Sequence, residues 1–300
     1  MKFALILCSL VLPGISAGNQ ASSTNNELEK IRASGVIVVA HRDASIPFSY
    51  LDDRKQPVGY SIDLCTKLVE AVRRELKLPT LVVSYVAVTS ASRIPTIAEG
   101  NASLECGSTT NNAERRQKVD YTIAHFISAA RFIVRSNAGI EKLEDLTDKT
   151  VVSTRGTTNI KTLERINDER LLKMKIVQAD DHAAAFAMVA AGKADAFAMD
   201  DVLLYGLRAT AARPQDFAVI GKPMTIEPYA VMLPKHQPAF KKVIDAEVRR
   251  LIFTGEMQQL YQKWFMSPIP PRGSNLELPM SFMLRESFKF PSDKVGDLTQ

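Results

Sequence analysis

The sequence has few cysteines, few histidines and a single tryptophan: its 300 residues include 3 Cys, 4 His and 1 Trp. The histidines are scattered, and no cysteine has a second cysteine or histidine at the close spacing typical of a zinc site. A Gly-x-Ser-x-Gly turn, which would suggest a serine hydrolase, does not occur either. We therefore predict no metal, no cofactor and no catalytic residues.

A run of apolar residues long enough to cross a membrane is also missing near the start of the chain. Residues 3–12 are apolar, but about ten such residues fall short of the roughly twenty that a membrane helix needs. The run follows Lys2 and precedes Ile15-Ser16-Ala17, an arrangement typical of a secretory signal peptide. We predict a signal peptide at residues 1–17 and export of the rest, in preference to a buried first helix.

Export would leave only two cysteines, because Cys8 lies inside the predicted signal peptide. An even pair in an oxidising compartment predicts a disulfide between Cys65 and Cys106. In the chain-entropy model, closing the loop between positions 65 and 106 stabilises the fold by roughly 3–4 kcal/mol. Metal binding by these cysteines is the weaker alternative.

The net charge of +5 raises the question of nucleic-acid binding. The basic residues, however, are interleaved with acids, as in residues 141–148 and 164–170, and they do not form basic runs with aromatic residues between them. Together with export, this pattern predicts that nucleic acid is not a partner.

Short apolar segments and amphipathic segments alternate along the chain in two series. Such alternation predicts parallel sheets with helices on both faces, and its occurrence twice predicts two similar α/β lobes. In each series the order is strand, helix, strand, helix, strand: 35–40, 62–76, 81–88, 93–99 and 104–107, and then 150–153, 159–166, 175–178, 183–191 and 196–199. Residues 272–300 form a weakly patterned tail.

Three motifs fall at the ends of predicted strands or the starts of predicted helices. They read GYSIDL at 59–64, GSTT at 107–110 with Arg115 five residues on, and GTT at 156–158. Together they resemble the polar-amino-acid family, family 3, of periplasmic solute-binding proteins. One departure is Ser61, where the family usually has an acid.

Longer ungapped segments resemble those members of the family that bind L-glutamate and L-aspartate for ABC importers of Gram-negative bacteria. They include HRD at 41–43, RIP at 93–95, ECGSTTNN at 105–112 and PIPP at 268–271. The resemblance implies a monomeric periplasmic protein that captures L-glutamate or L-aspartate and delivers it to an inner-membrane ABC permease.

The resemblance also implies a two-lobed periplasmic-binding-protein fold of type II, with two hinge crossovers and a ligand cleft. The expected bounds are residues 27–127 plus 228–271 for lobe 1, 128–227 for lobe 2 and 272–300 for the tail. Ligands of open α/β sheets bind beyond the carboxyl ends of the strands, which is where the quoted motifs fall.

The resemblance assigns residues to each charged group of the ligand. It implies that the α-carboxylate binds Ser108, Thr110, Arg115 and Thr158, and that the α-ammonium binds Asp200. It implies that the side-chain carboxylate binds Arg42, Ser90, Arg93 and His182. Three arginines against one aspartate would leave the site with a charge near +2, which favours an acidic ligand.

Two alternatives stay open. A periplasmic enzyme of the same fold, similar to cyclohexadienyl dehydratases, would use the same cleft, and a sensor receptor could replace the importer as the partner. The sequence does not decide between glutamate and aspartate, because one methylene changes affinity by only about 1–3 kcal/mol.

Overall fold

The computed structural model describes residues 26–294, so the predicted signal peptide at 1–17 lies outside the described residues. The helices within that range are α1 (Glu27–Ser34), α2 (Tyr60–Glu75), α3 (Arg93–Ala98), α4 (Thr158–Arg170), α5 (His182–Ala190), α6 (Asp201–Thr210), α7 (Pro238–Phe253), α8 (Glu256–Phe265) and α9 (Phe282–Lys289). Within the same range, none of these helices is both long and apolar enough to span a membrane.

Most of the strands are short. They are β1 (Val36–His41), β2 (Ala44–Ser45), β3 (Ser49–Leu51), β4 (Pro57–Val58), β5 (Val82–Ala87), β6 (Leu104–Glu105), β7 (Asp120–Tyr121), β8 (Phe126–Ser128), β9 (Ala130–Arg135), β10 (Thr150–Thr154), β11 (Lys175–Ala179), β12 (Ala196–Asp200), β13 (Phe217–Ile220), β14 (Glu227–Tyr229) and β15 (Met232–Leu233).

The first lobe is built on a five-stranded sheet with the order β5-β1-β6-β15-β7. β1 is an apolar, β-branched segment, as expected of a strand covered on both faces, and it pairs in parallel with β5 and β6. β15 runs antiparallel to β6 and β7. The carboxyl ends of β1 and β6 therefore meet at one edge of the sheet.

The second lobe repeats this plan with the order β11-β10-β12-β9-β13. β10 pairs in parallel with β11 and β12, whereas β9 runs antiparallel to β12 and β13. Helices α4 and α5 connect the parallel strands, and α6 begins directly after β12. The two α/β lobes that the alternating pattern predicted are confirmed.

Two crossovers join the lobes and pair with each other. β8 leads from the first sheet to the second and β14 leads back, with Pro228 opposite Ile127 in an antiparallel ladder. Phe126 and Tyr229, one from each crossover, pack against Phe48 with ring centroids 5.0 and 5.1 Å away. Such aromatic pairs contribute about 0.5–1.5 kcal/mol each beyond their buried area, so the crossovers are anchored in the core of the first lobe.

The predicted disulfide is present. Cys65 on α2 is bonded to Cys106, which follows β6, with their Cα atoms 6.3 Å apart. The bond ties α2 to the sheet edge that carries the motif at 107–110.

Several parts of the described chain differ from the sequence predictions. Helix α1 and the small sheet β2-β3-β4 were not predicted, because each is too short to show a clear period. Residues 229–234, an apolar segment whose pattern predicts a single strand, are divided between β14 and β15. The tail contains α9, whose buried Leu284 and Phe288 lie one turn apart.

Candidate functional site

The two lobes form a small cavity at the carboxyl edges of their parallel strands. It is lined by Ser90, Arg93, Ser108, Thr110, Thr157, Thr158, His182, Met199, Asp200 and Leu203. Seven of the nine predicted ligand-binding residues are in this set. The other two interact with it: Arg42 acts electrostatically on His182, and Arg115 donates a hydrogen bond to the Thr110 carbonyl. For all nine residues, contact with a ligand stays a prediction.

A larger and more open pocket lies elsewhere, on the second lobe. None of the nine predicted residues lines it, and two of its charged residues, Arg213 and Asp216, pair with each other at 2.8 Å. In the part of the chain that the structure describes, none of the residues lining this pocket has a buried side-chain polar atom without a hydrogen-bond partner.

Arg42 and Arg93 enter the site from the first lobe. Arg42 directly follows β1 and Arg93 opens α3, and both side chains are buried. Nη1 of Arg93 donates to Thr109 Oγ1 at 2.6 Å and to the Ser108 carbonyl at 3.2 Å. Burial, and then repulsion by Arg115, lower the pKa of Arg93 to about 9. The guanidinium therefore remains charged at neutral pH.

Several buried polar atoms near these arginines have no hydrogen-bond partner in the part of the chain that the structure describes. They are Arg42 Nη1, Ser90 Oγ, Arg93 Nε, Glu105 Oε1 and Ser108 Oγ. A buried polar group without a partner costs about 1–3 kcal/mol. Most of these atoms are donors, so this end of the cavity suits an acceptor such as a carboxylate.

Glu105 is a buried carboxylate that we did not assign to the site from the sequence. It ends β6 opposite Ala40 of β1, and its Oε2 accepts a hydrogen bond from Thr109 Oγ1 at 2.7 Å. Thr109 also accepts from Arg93, so a short chain of hydrogen bonds joins that arginine to Glu105. The sequence feature that could have indicated Glu105 is an acid within a segment predicted to be a buried strand, because acids are almost never fully buried unless they are paired.

His182 opens α5, after the N-cap Asp181. The imidazole is buried, and its Nδ1 lies 2.8 Å from the Thr154 hydroxyl. Burial, and then the charges of Arg42 and Arg93, hold the pKa of His182 well below its ordinary value. At neutral pH the ring is therefore uncharged and contributes a hydrogen bond rather than a charge.

Arg115 connects the lobes. Its Nη1 donates to the Thr110 carbonyl at 2.9 Å, and its Nη2 donates to the Gly156 carbonyl of the second lobe at 3.3 Å. Gly156 has a φ of +77°, and a Cβ at this position would lie 2.7 Å from Cα of Ala91. Only glycine permits both this backbone conformation and such close approach of the two lobes.

Asp200 ends β12 and is buried on the opposite side of the cavity. Its carboxylate accepts hydrogen bonds from Asn159 Nδ2 at 2.9 Å and from the Tyr229 hydroxyl. Burial, and then repulsion by Glu227, raise the pKa of Asp200 to about 7. A cation placed here would favour the ionised form of this acid.

Glu227 is the second acid that the sequence prediction missed, and it lies at the start of the return crossover, β14. Its Oε2 accepts from the hydroxyls of Thr110 at 2.6 Å and Thr158 at 3.0 Å, and so links the two lobes. Because an ionised carboxylate can only accept, both hydroxyls donate to it and keep lone pairs for another donor. These hydroxyls therefore suit an ammonium better than the α-carboxylate that we predicted for them.

The charge of the site differs from the +2 predicted from the sequence. Arg42, Arg93 and Arg115 are accompanied by Glu105 and Glu227 as well as Asp200, so the formal charges cancel. They are not evenly spread: the arginines interact with one another and with Glu105, whereas Asp200 interacts with Glu227. The cavity thus has a cationic end and an anionic end.

These features suit the capture of a small zwitterion. The cavity is small and polar, its walls come from two lobes joined by paired crossovers, and each end offers a different charge. Among residues 26–294, no three His, Cys, Asp or Glu side chains are grouped to hold a metal ion. Fold and site together define an amino-acid-binding protein of the two-lobed type.

Comparison with known proteins gives the family. The family of bacterial extracellular solute-binding proteins, family 3, matches residues 37–267, and this chain belongs to it. The chain is 43% identical to the L-glutamate/L-aspartate-binding protein of Pseudomonas aeruginosa, with 98% of each chain covered. It is 39% identical to the glutamate/aspartate import solute-binding protein of Escherichia coli, with 97% of each covered.

Solved structures show the same fold at lower sequence identity. An ancestral arginine-binding protein bound to arginine matches with a TM-score of 0.69 and 22% identity, over 77% of this chain and 98% of that one. A cysteine-binding protein from Campylobacter jejuni matches with a TM-score of 0.69 and 24% identity, over 80% of this chain and 92% of that one. The type II periplasmic-binding-protein fold predicted from the sequence is therefore confirmed.

Replacing Asp200 by asparagine should change how the free energy of unfolding depends on pH. The pKa of about 7 in the folded protein lies above the ordinary aspartate value near 4. Folding therefore favours the protonated acid, and this stabilisation is fully present below about pH 4 and lost as the pH rises through 7. Asparagine does not titrate, so the stability of Asp200→Asn should not fall in this way. Measured by urea unfolding without ligand, its free energy of unfolding should rise relative to that of the wild type by up to about 4 kcal/mol between pH 4 and 8.

Asp168→Asn is the control, since Asp168 is an exposed acid on α4. Its stability should follow that of the wild type over the same pH range. Stability curves for Asp200→Asn and the wild type that run parallel would show that the pKa of Asp200 is not raised.

Proposed function

We propose that this protein captures L-glutamate or L-aspartate in the periplasm and delivers it to the inner-membrane permease of an ABC importer. The observation that carries the proposal is the distribution of charge around the cavity. Arg93 lines the cavity and acts with the buried Arg42 on His182, whereas Asp200 lines it and interacts with Glu227. An acidic amino acid carries two carboxylates and one ammonium. Each must meet an opposite charge when buried, because an unpaired buried charge costs several kcal/mol.

The side-chain carboxylate is assigned to the cationic end. Arg42 and Arg93 can each donate paired hydrogen bonds from a planar fork, the geometry that matches a carboxylate. Ser90 offers a buried hydroxyl beside them, and neutral His182 adds a hydrogen bond without a further charge. A neutral side chain in this place would leave two buried guanidinium groups without an acceptor.

The ligand's α-carboxylate is assigned to the middle of the cavity, and its α-ammonium is assigned to the anionic end. Arg115, the Ser108 hydroxyl and the backbone N–H of Thr158 at the start of α4 form the α-carboxylate site, since a helix N-terminus favours an anion. Asp200 takes the ammonium. Glu227 supports it by adding negative charge and by orienting the Thr110 hydroxyl as an acceptor.

The similar proteins support the same function. The relatives from Pseudomonas aeruginosa, Escherichia coli and Salmonella typhimurium are 38–43% identical over nearly the whole chain, and their names specify glutamate and aspartate. All three are binding proteins, which disfavours a periplasmic enzyme of this fold. Two of the names specify import, which favours an importer over a sensor receptor.

The lobes close on the ligand by movement at the crossovers. We assign residues 27–127 and 228–271 to lobe 1 and residues 128–227 to lobe 2, so that both boundaries fall inside the paired strands β8 and β14. Arg115 and Glu227 span these boundaries through their hydrogen bonds. Ligand capture and lobe closure would therefore use the same side chains.

Calorimetric titration with a panel of amino acids tests the proposed function. L-Glutamate and L-aspartate should bind with micromolar or tighter affinity, at least about 8 kcal/mol, because the cavity offers charged partners for all three of their groups. L-Glutamine should bind much more weakly. Tight binding of lysine or leucine, with no binding of either acid, would overturn the proposal.

Arg93→Ala should weaken glutamate binding by roughly 30-fold to several thousand-fold. Removing one member of a buried charge pair typically costs 2–5 kcal/mol, largely because the other charge stays buried without a partner. Glutamine binding should fall much less, so the ratio of the two affinities should approach one. Both affinities are measured by titration calorimetry, alongside the thermal unfolding midpoint of each protein.

Arg165→Ala is the matched control, because Arg165 is exposed on α4 and pairs only at the surface with Glu169, at 2.9 Å. Such a pair contributes less than about 1 kcal/mol, so both affinities should match those of the wild type. If Arg93→Ala binds glutamate within threefold of the wild type, the side-chain carboxylate must bind elsewhere.

A further inference from the structure

Glu105 is a buried acid beside the groups assigned to an anionic ligand. Its side chain is fully inaccessible to solvent, and it lies between the buried residues Leu104 and Cys106. A negative charge here should repel an acidic ligand, so binding alone does not explain it. Its interactions with the two arginines explain it: Glu105 is linked to Arg93 through Thr109 and acts electrostatically on Arg42.

On one side, Glu105 is joined to Arg93 through Thr109. Arg93 Nη1 donates to Thr109 Oγ1 at 2.6 Å, and Thr109 Oγ1 donates to Glu105 Oε2 at 2.7 Å. The hydroxyl thus accepts from the cation and donates to the anion, the one arrangement that satisfies both charges. This chain fixes the rotamer of Thr109 and the direction of the guanidinium.

On the other side, Glu105 packs beside Arg42. A Cβ added at Gly107 would lie 2.3 Å from Glu105 Oε1 and 3.0 Å from Arg42 Cγ, so both side chains pass over that glycine. Of the acids that act on Arg42 and Arg93, Glu105 has the strongest effect on each. One carboxylate therefore serves two guanidinium groups that repel each other.

We propose that Glu105 is a positioning residue that acts as an internal counter-charge for Arg42 and Arg93 and thereby sets how strongly the site prefers acidic over neutral ligands. The inference rests on the proposed function, since it requires these arginines to hold the ligand's side-chain carboxylate. With Glu105 ionised, the pair presents one net positive charge, enough for one carboxylate. Without the charge of Glu105, the two arginines would present two positive charges. They would then bind an acidic ligand more strongly and destabilise the ligand-free protein.

Glu105→Gln tests this, because glutamine has the same shape and can still accept from Thr109 through its amide oxygen. The ratio of glutamate to glutamine affinity should rise about tenfold over the wild-type ratio, because the substitution removes a like charge beside the arginines proposed to bind the side-chain carboxylate. The thermal unfolding midpoint should fall without ligand. Saturating glutamate should raise that midpoint further in the variant than in the wild type, because the ligand supplies the missing negative charge.

Two control variants separate charge from packing. Glu105→Asp keeps the charge, so its affinity ratio should stay within threefold of the wild type. Glu99→Gln neutralises an exposed acid at the end of α3 and should leave both the ratio and the ligand-induced shift unchanged. An affinity ratio in Glu105→Gln that is unchanged or lower overturns the proposal.

If Glu105→Gln does not fold alone, it is refolded with saturating glutamate and followed by circular dichroism. Recovery of the folded state supports the counter-charge, and failure to recover overturns it. The wild type is measured in parallel. If the wild type does not bind glutamate more tightly than glutamine, the proposed function itself is wrong. If the wild type prefers glutamate and Glu105→Gln has the same ratio of glutamate to glutamine affinity, only the proposed role of Glu105 is wrong.

Discussion

Three buried guanidinium groups around one small cavity are the constraint on which the rest of this structure depends. Arg42, Arg93 and Arg115 can stay charged between the lobes only if carbonyls, hydroxyls and acids compensate them. Arg93 reaches a carbonyl and the Thr109 hydroxyl of its own lobe. Arg115 reaches a carbonyl in each lobe, so the compensation of its charge also brings the lobes together.

The return crossover, β14, has only three residues, yet it links the two lobes, contacts Asp200 and packs into the core of lobe 1. Glu227 accepts hydroxyl hydrogen bonds from both lobes, and Tyr229 donates to Asp200 while its ring packs against Phe48. The aromatic core of lobe 1 thus positions the acid pair directly. This coupling explains why a strand so short can serve both as a hinge and as part of the site.

Much of this arrangement could be predicted from the sequence. Hydrophobic periodicity located the parallel strands and their helices, and the resemblance to the family located the nine candidate residues. The acids at 105 and 227 could not be assigned in this way, because each acts on side chains that are distant in sequence or belong to another element: Glu227 and Thr110 are 117 residues apart. Counting charges along motifs therefore overestimated the charge of the site. Short elements such as α1 and β2 to β4 were missed because they depend on tertiary packing rather than on a period of their own.

The crystal structure of the protein with L-glutamate bound is the most direct test of the central claim. The account predicts side-chain carboxylate oxygens about 2.7–3.2 Å from guanidinium nitrogens of Arg42 and Arg93, and the ammonium at the same distance from Asp200. A glutamate bound with its side-chain carboxylate away from both arginines, or with its ammonium away from Asp200, would contradict the account.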